Sequence, residues 1–214
     1  MTLVKICGIR SIEDALASID AGADALGFHV ELEHSKCPID AENAARIIKE
    51  LSPEVSSVVV TTLDNADAII NTADQTGGNT VQLQGDVSAD VIRELKKRRP
   101  NLKVWRAVHV MGDNAAADAK KYEDLVDRIL LDSMDKKTGA RGGTGKTHDW
   151  SMSKKIVESV STPVILAGGL TPGNVSEAIR TVRPYMVDVE SGVSNTDGTK
   201  DIEKVKLFVE RAKN

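Results

Sequence analysis

The feature that most constrains this chain is an alternation of short apolar, β-branched runs with longer stretches of helical periodicity. Eight such pairs follow one another along the 214 residues. Apolar runs that alternate with helices are typical of parallel strands, because the helices cover both faces of the sheet. The predicted strands are Leu3–Cys7, Ala23–His29, Ser56–Thr61, Thr80–Gln84, Leu102–Val110, Arg128–Asp132, Pro163–Ala167 and Met186–Glu190.

The stretches between these strands carry helix signals. Ser11 is a predicted helix cap, with Asp14 completing an approximate capping box. The later predicted helices are Ala41–Leu51, Asn65–Gln75, Ser88–Arg98, Ala115–Asp124, Met152–Ser159, Val175–Thr181 and Ile202–Ala212. Eight strand–helix units predict a closed (β/α)8 TIM barrel. An open, doubly wound sheet is the alternative, although such sheets usually have fewer strands. Because no linker or low-complexity tract interrupts the pattern, we predict one domain, residues 1–214.

Composition and charge exclude several classes of protein. Aromatic residues are only 3% of the chain, so the core must consist of Val, Ile, Leu and Ala. The net charge of −4 and the lack of a long basic run argue against a nucleic-acid partner. No apolar stretch approaches the roughly 20 residues that span a membrane. The start, MTLVKICGIR, lacks a signal-peptide core, and Cys7 and Cys37 make no disulfide framework. We therefore expect a cytoplasmic protein.

Polar residues collect at the carboxyl ends of four predicted strands, where barrel enzymes carry their chemistry. These residues are Cys7, Gln84, Asp132 and Asp188. Period-two alternation places Lys5 on the same face as Cys7, and Gln82 on the same face as Gln84. A single buried Cys is usually inert and a strand-terminal Asp often caps a helix. Four such residues on four strands nevertheless favour one shared site at the barrel mouth.

Glycine-rich turns follow the last three predicted strands. They contain Gly142 to Gly145, Gly168 and Gly169, and Ser191 and Gly192. Glycine allows the backbone N–H groups to approach an oxyanion closely, and barrels often bind phosphate after strands seven and eight. We therefore predict a phosphate site at Gly145, Gly168, Gly169, Ser191 and Gly192, and a small phosphorylated molecule as the ligand.

Several segments together resemble the phosphoribosylanthranilate isomerase family of tryptophan biosynthesis. The resemblance covers essentially the whole chain in the same order. The segments are KICGI from Lys5, GADALGF from Gly22, VQLQG from Val81, LLDS from Leu130, GGTG from Gly142, Asp149–Trp150, LAGGL from Leu166 and VDVESGV from Val187.

The resemblance implies an Amadori rearrangement of N-(5-phosphoribosyl)anthranilate, without cofactor or metal, by a monomer or homodimer. It implies Cys7 as general base, Asp132 as general acid and Asp188 as a substrate contact near the reacting end. The base role needs a thiol pKa below the free value of roughly 8.5, which nearby Lys5 would favour. The acid role needs the pKa of Asp132 to be raised by burial.

Two positions depart from the family pattern. Cys37 stands where the family has an arginine for the anthranilate carboxylate, and Gln84 where it has a histidine. We expect Lys36 to supply the cation and Gln84 to contact substrate, although Lys36 is equally well explained as a solvated loop residue. Two other functions stay open: a paralogous barrel acting on another phosphoribosyl amine or phosphosugar, and a non-catalytic barrel that binds a phosphate ligand.

Overall fold

The computed structural model describes residues 1–110, 114–133 and 147–214. It contains eight parallel strands that pair in chain order, and the last strand pairs with the first, so the sheet closes into a barrel. This arrangement confirms the predicted (β/α)8 TIM barrel and excludes the open sheet. The strands are β1 Leu3–Cys7, β2 Ala25–His29, β3 Ser56–Thr61, β4 Thr80–Leu83, β5 Lys103–His109, β6 Arg128–Asp132, β7 Val164–Leu166 and β8 Met186–Val189.

A helix follows each strand and packs outside the barrel. The helices are α1 Ile12–Asp20, α2 Ala41–Lys49, α3 Ala66–Thr76, α4 Ala89–Arg98, α5 Ala115–Tyr122, α6 Trp150–Ser159, α7 Val175–Val182 and α8 Ile202–Lys213, with a short 3₁₀ helix at Ser191–Val193. None of the helices in the described residues is long and apolar enough to cross a membrane.

The predicted and observed boundaries differ by at most two residues. β2 begins at Ala25 instead of Ala23, because Asp24 lies in a bend, where its carboxylate accepts a hydrogen bond from Val4 N at 2.8 Å. The predicted cap of α1 is confirmed, since Ser11 Oγ accepts from Asp14 N at 3.1 Å. The Asp14 carboxylate instead accepts from Lys200 N, so it joins the start of α1 to the turn before α8.

Two apolar regions stabilise the barrel. The larger lies between the strands and the helices and is rich in Val, Ile, Leu and Ala, as the low aromatic content predicts. The smaller fills the barrel interior and includes Val58, Trp105, Leu130, Ile165 and Met186. Along β6 and β8 the inward-facing residues change from Leu130 and Met186 to Asp132 and Asp188. The interior therefore becomes polar at the carboxyl ends of the strands.

Candidate active site

A buried cluster on β1 and β8 forms one side of the polar interior. Lys5 on β1 is paired in register with Asp188 on β8, and its side chain is fully buried. Lys5 Nζ donates hydrogen bonds to Asp188 Oδ2 at 2.9 Å and to Cys7 Sγ at 3.0 Å. The pKa of Lys5 stays above its usual value, because Asp188 and Cys7 together outweigh the opposing effect of burial. A cation therefore stands directly beside the Cys7 sulfur.

A glycine on β2 provides the space for this cluster. Gly27 is paired in register with Cys7. A Cβ at position 27 would lie 2.5 Å from Cys7 Sγ and 3.1 Å from Lys5 Nζ. Any side chain there would displace both groups, so Gly27 fixes how deeply the thiol and the ammonium can sit.

A histidine two residues further along β2 also contacts the thiol. His29 Nε2 lies 3.2 Å from Cys7 Sγ, and His29 Nδ1 lies 2.8 Å from Ser35 Oγ. The Glu190 carboxylate, in the turn after β8, is 3.9 Å from the same Nε2. Burial lowers the pKa of His29 to about 4, against the attraction of Glu190, so the imidazole is neutral near pH 7.

A second group of hydrogen bonds surrounds the carboxyl group of Asp132 at the end of β6. Gln84 Nε2 donates to Asp132 Oδ2 at 3.2 Å, and Ser133 N donates to Oδ1 at 2.7 Å. Gln84 Oε1 accepts from Gln82 Nε2 at 3.1 Å, so both ends of the Gln84 amide are used. The carboxyl group is thereby fixed in one orientation.

The buried carboxyl group of Asp132 holds its proton more tightly than an exposed one. Burial raises its pKa to about 7, and the negative charge of Asp188 adds to this effect. The hydrogen bonds from Ser133 N and Gln84 act in the opposite direction but are weaker. Asp132 is therefore partly protonated near neutral pH, as a general acid requires.

The lowered thiol pKa that the base role of Cys7 requires is not present in this structure. Burial raises the pKa of the thiol to about 12 and outweighs the neighbouring Lys5 ammonium. The charges of Asp188 and Glu190 raise it further. Lys5 is placed as expected, but in the folded protein without substrate Cys7 is a thiol.

The loops after β7 and β8 lie against each other. Gly168 and Gly169 follow β7 with φ values of +84° and +66°, which few other residues adopt. Ser191 and Gly192 begin the 3₁₀ helix after β8, and a Cβ on Gly192 would overlap the carbonyl oxygen of Leu170. The structure thus brings four of the five predicted phosphate residues into adjacent loops, whereas Gly145 lies outside the described residues.

The segment after β2 contains the predicted aglycone contact. Lys36 is exposed, whereas Cys37 is buried at 3% exposure and its thiol pKa is raised by burial. Arg10 Nη2 and Cys37 Sγ both border Gly198, at 2.9 and 3.2 Å from the position that a Cβ would take there. Lys200 also lies nearby, since a Cβ on Gly8 would lie 3.4 Å from Lys200 Nζ and 3.3 Å from Cys37 Cβ. In the described part of the chain, three cations therefore lie in or beside this region: Lys36, Arg10 and Lys200.

Comparison with known proteins identifies the family. The family model described as N-(5'phosphoribosyl)anthranilate (PRA) isomerase matches residues 4–211. N-(5'-phosphoribosyl)anthranilate isomerase 2 of Methanosarcina mazei is 46% identical over 99% of this chain and 94% of its own.

The chain belongs to the PRA isomerase family.

Solved structures of PRA isomerases agree with this assignment. The Thermotoga maritima enzyme superposes with a TM-score of 0.89 and 39% identity, covering 100% of this chain and 99% of that one. A PRA isomerase in complex with reduced 1-(o-carboxyphenylamino)-1-deoxyribulose 5-phosphate superposes with a TM-score of 0.86 and 37% identity, covering 100% and 99% of the two chains. This chain is therefore an isomerase of the PRA isomerase family.

Sequence reasoning missed three residues of this PRA isomerase site: Gly27, His29 and Glu190. A usable signal was present for two of them, since alternation along β2 places Ala25, Gly27 and His29 on one face, and His29 ends the strand. Glu190 was counted as the end of β8, but the strand stops at Val189 and the carboxylate turns toward His29. In the described part of the chain, no three His, Cys, Asp or Glu side chains form a group suited to a metal ion.

Proposed function

We propose that this chain catalyses the Amadori rearrangement of N-(5-phosphoribosyl)anthranilate to 1-(2-carboxyphenylamino)-1-deoxyribulose 5-phosphate. The observation that carries the proposal is the pairing of a buried thiol and a buried, partly protonated carboxyl group at one end of a PRA isomerase barrel. A relative of this family has been solved with the reduced product of the same reaction.

Asp132 is the proposed general acid. Its proton passes to the furanose ring oxygen, the C1′–O bond breaks, and the nitrogen lone pair forms a protonated Schiff base. Because burial raises the pKa of Asp132 to about 7, the proton is held at neutral pH yet is acidic enough to be transferred. Gln84 and Ser133 N then stabilise the carboxylate that remains, with hydrogen bonds at 3.2 and 2.7 Å.

Cys7 is the proposed general base. As a thiolate it removes the C2′ proton, and the electrons of that C–H bond form the C1′=C2′ double bond of an enolamine. Lys5 Nζ, at 3.0 Å from the sulfur, stabilises the thiolate. Asp188 is the proposed contact for the substrate near this end, because its Oδ1 is buried without a hydrogen-bond partner among the described residues.

The two ends of the substrate are assigned to different loops. Gly145, Gly168, Gly169, Ser191 and Gly192 are the proposed phosphate site, supported for the last four by the contact between the β7 and β8 loops. Gln84 is the proposed substrate contact beside the reacting centre, where its amide also donates a hydrogen bond to Asp132. Lys36 is the proposed cation for the aglycone carboxylate, with Arg10 as the alternative beside Cys37.

We propose a single barrel domain, residues 1–214, that acts in the cytoplasm as a monomer or homodimer. We propose that its partner is a small phosphorylated substrate, with no nucleic acid, membrane, cofactor or metal. The net charge of −4 supports the exclusion of a nucleic-acid partner.

A second candidate function is the isomerisation of a different phosphoribosyl amine or phosphosugar. The observation that favours it is the buried, uncharged Cys37 at the position where the family pattern has a carboxylate-binding arginine. A non-catalytic barrel is disfavoured, because the buried acid and base would then be costly without a use.

A fluorescence assay separates these functions. The substrate is generated in situ from anthranilate and phosphoribosyl pyrophosphate by a phosphoribosyltransferase, and its fluorescence is followed after the chain is added. We expect a rapid, enzyme-dependent decay. Absence of decay, with the protein shown to be folded by circular dichroism, would remove anthranilate as the aglycone and favour the second function.

A further inference from the structure

The thiol of Cys7 must lose its proton before it can act as a base, and the structure shows one neutral side chain placed to accept it. His29 is buried at 5% exposure and its Nε2 lies 3.2 Å from Cys7 Sγ. The ring is held from its other side, since Nδ1 is 2.8 Å from Ser35 Oγ, and this oxygen also accepts from Cys37 N at 3.0 Å. The ring therefore has one fixed orientation toward the sulfur.

We propose that His29 is a positioning residue that acts through Cys7: its Nε2 accepts the thiol proton and so generates the thiolate beside Lys5. This inference rests on the proposed function of Cys7 as the general base. It assigns His29, Ser35 and Glu190 to the working site, none of which was among the predicted site residues.

The hydrogen-bonding capacities indicate which tautomer is present. Lys5 Nζ already donates to Cys7 Sγ, so the thiol S–H must find an acceptor elsewhere. An unprotonated Nε2 at 3.2 Å provides that acceptor. The ring proton then resides on Nδ1 and is donated to Ser35 Oγ, which has lone pairs for both Nδ1–H and Cys37 N–H.

Two of the surrounding charges stabilise a transient ion pair, Lys5 beside the sulfur and Glu190 beside the ring. When the S–H bond breaks, its electrons stay on sulfur next to the Lys5 ammonium, and the proton passes to Nε2, 3.9 Å from the Glu190 carboxylate. Burial opposes this transfer, since it keeps Cys7 a thiol and His29 neutral at rest, and Asp188 and Lys200 oppose it too, because they raise the pKa of Cys7 and lower that of His29 respectively. The charged groups facing the pair are Lys5 from β1, Asp188 from β8, Glu190 from the following turn and Lys200 before α8.

Over one turnover, each group of the enzyme returns to its original protonation state. The thiolate takes the C2′ proton and returns it to C1′ of the enolamine. The Asp132 carboxylate, which gave its proton to the ring oxygen, regains one from the enol hydroxyl. The imidazolium finally returns its proton to the sulfur, so the enzyme is restored without any external acid, base or redox partner.

The first test uses the wild-type protein without substrate. Labelling with ¹⁵N-histidine lets NMR distinguish the two ring nitrogens of His29, whose signals are assigned with a His29→Gln variant. We expect Nδ1 protonated and Nε2 unprotonated at pH 7. A signal showing Nε2 protonated would overturn the proposal, because that nitrogen could then accept nothing from Cys7.

The second test measures thiolate formation directly. The alkylation rate of Cys7 by iodoacetamide is followed by mass spectrometry of its peptide, which separates it from Cys37. We expect His29→Gln to slow alkylation at pH 7 at least about 10-fold and to shift the pH dependence to higher pH. The matched control is His34→Asn, an exposed histidine of the following loop, which should leave the rate unchanged.

The kinetic consequence follows the same pattern. For phosphoribosylanthranilate, His29→Gln should lower kcat about 10- to 100-fold and change KM less than about threefold, while Ser35→Ala has a smaller effect in the same direction. Unchanged alkylation and unchanged kcat in His29→Gln would overturn the proposal. Retained turnover in Cys7→Ala would instead show that Cys7 is not the general base. The NMR and alkylation measurements need no substrate, so they test the role of His29 separately from the proposed reaction.

Discussion

At the residue scale, burial decides which protonation states the candidate site contains. The same loss of hydration raises the pKa of Asp132 to about 7 and that of Cys7 to about 12, and lowers that of His29 to about 4. The resting site therefore holds an acid with its proton, a thiol and a neutral imidazole. Asp132 and His29 are already in the states that their proposed steps need, whereas Cys7 must first lose its proton.

The raised pKa of Asp132 predicts a specific pH dependence of stability. Between about pH 4 and 7 the folded state keeps a proton that the unfolded state has lost, so this group makes the free energy of unfolding fall as pH rises. Asp132→Asn removes that dependence. Relative to wild type, the variant should gain up to about 4 kcal/mol between pH 4 and pH 8, at about 1.4 kcal/mol per pKa unit.

Urea unfolding at both pH values checks this prediction, with Asp118→Asn on the surface of α5 as the control. A difference between wild type and Asp132→Asn that does not change with pH would contradict a raised pKa. A difference that changes with the opposite sign would indicate a carboxylate stabilised by its hydrogen bonds, and hence no acid at neutral pH.

The aglycone end is tested at Lys36. If this exposed side chain binds the carboxylate when the substrate is present, Lys36→Met should raise KM for phosphoribosylanthranilate roughly 3- to 10-fold and leave kcat within about twofold. Steady-state kinetics under the fluorescence assay measure both. An unchanged KM would transfer the role to Arg10 or to Arg141, which lies outside the described residues. Arg10→Met, which removes the guanidinium beside Cys37, would then be the first variant to test for the loss.

At the scale of the elements, most of the fold could be predicted from the sequence. Period and length specify each strand and helix, and the N-cap of α1 was readable as Ser11. The ends of elements were less predictable, because they depend on contacts between segments distant in the chain. The Asp14 carboxylate accepts a hydrogen bond from Lys200 N, 186 residues away. Glu190 lies just after β8, and its carboxylate is 3.9 Å from His29 Nε2 on β2.

The pairing of β1 with β2 predicts a consequence for Gly27. Gly27→Ala places a methyl group 2.5 Å from Cys7 Sγ and must move the thiol and Lys5, so we expect kcat to fall at least about 10-fold. The free energy of unfolding should fall by about 1–3 kcal/mol from overpacking. The control is Gly173→Ala, whose Cβ would meet, among the described residues, only Thr171 Oγ1, at 3.5 Å.

Kinetics and urea unfolding of both alanine variants separate the two effects. Wild-type turnover in Gly27→Ala would show that the close approach of β2 to the thiol has no part in the chemistry. A loss of turnover matched by Gly173→Ala would show a general sensitivity of the barrel to added methyl groups.

At the scale of the whole molecule, closure of the barrel brings the acid and the base together. Cys7 and Asp132 are 125 positions apart in the chain, yet both side chains are buried where the barrel interior becomes polar. The sequence predicts this meeting from strand order and alternation alone. The sequence could not predict the pKa of Cys7. Burial raises this pKa and the Lys5 ammonium lowers it, and which effect is larger depends on distances that cannot be read from sequence periodicity.

The most direct test of the account is the turnover of phosphoribosylanthranilate by wild type, Cys7→Ala and Asp132→Asn in the same fluorescence assay. The account predicts enzyme-dependent decay with wild type and at least about 10²-fold lower kcat in each variant, with circular dichroism spectra unchanged. Near-wild-type turnover in either folded variant would contradict the assignment of that residue, and an inert wild-type protein would contradict the proposed reaction itself.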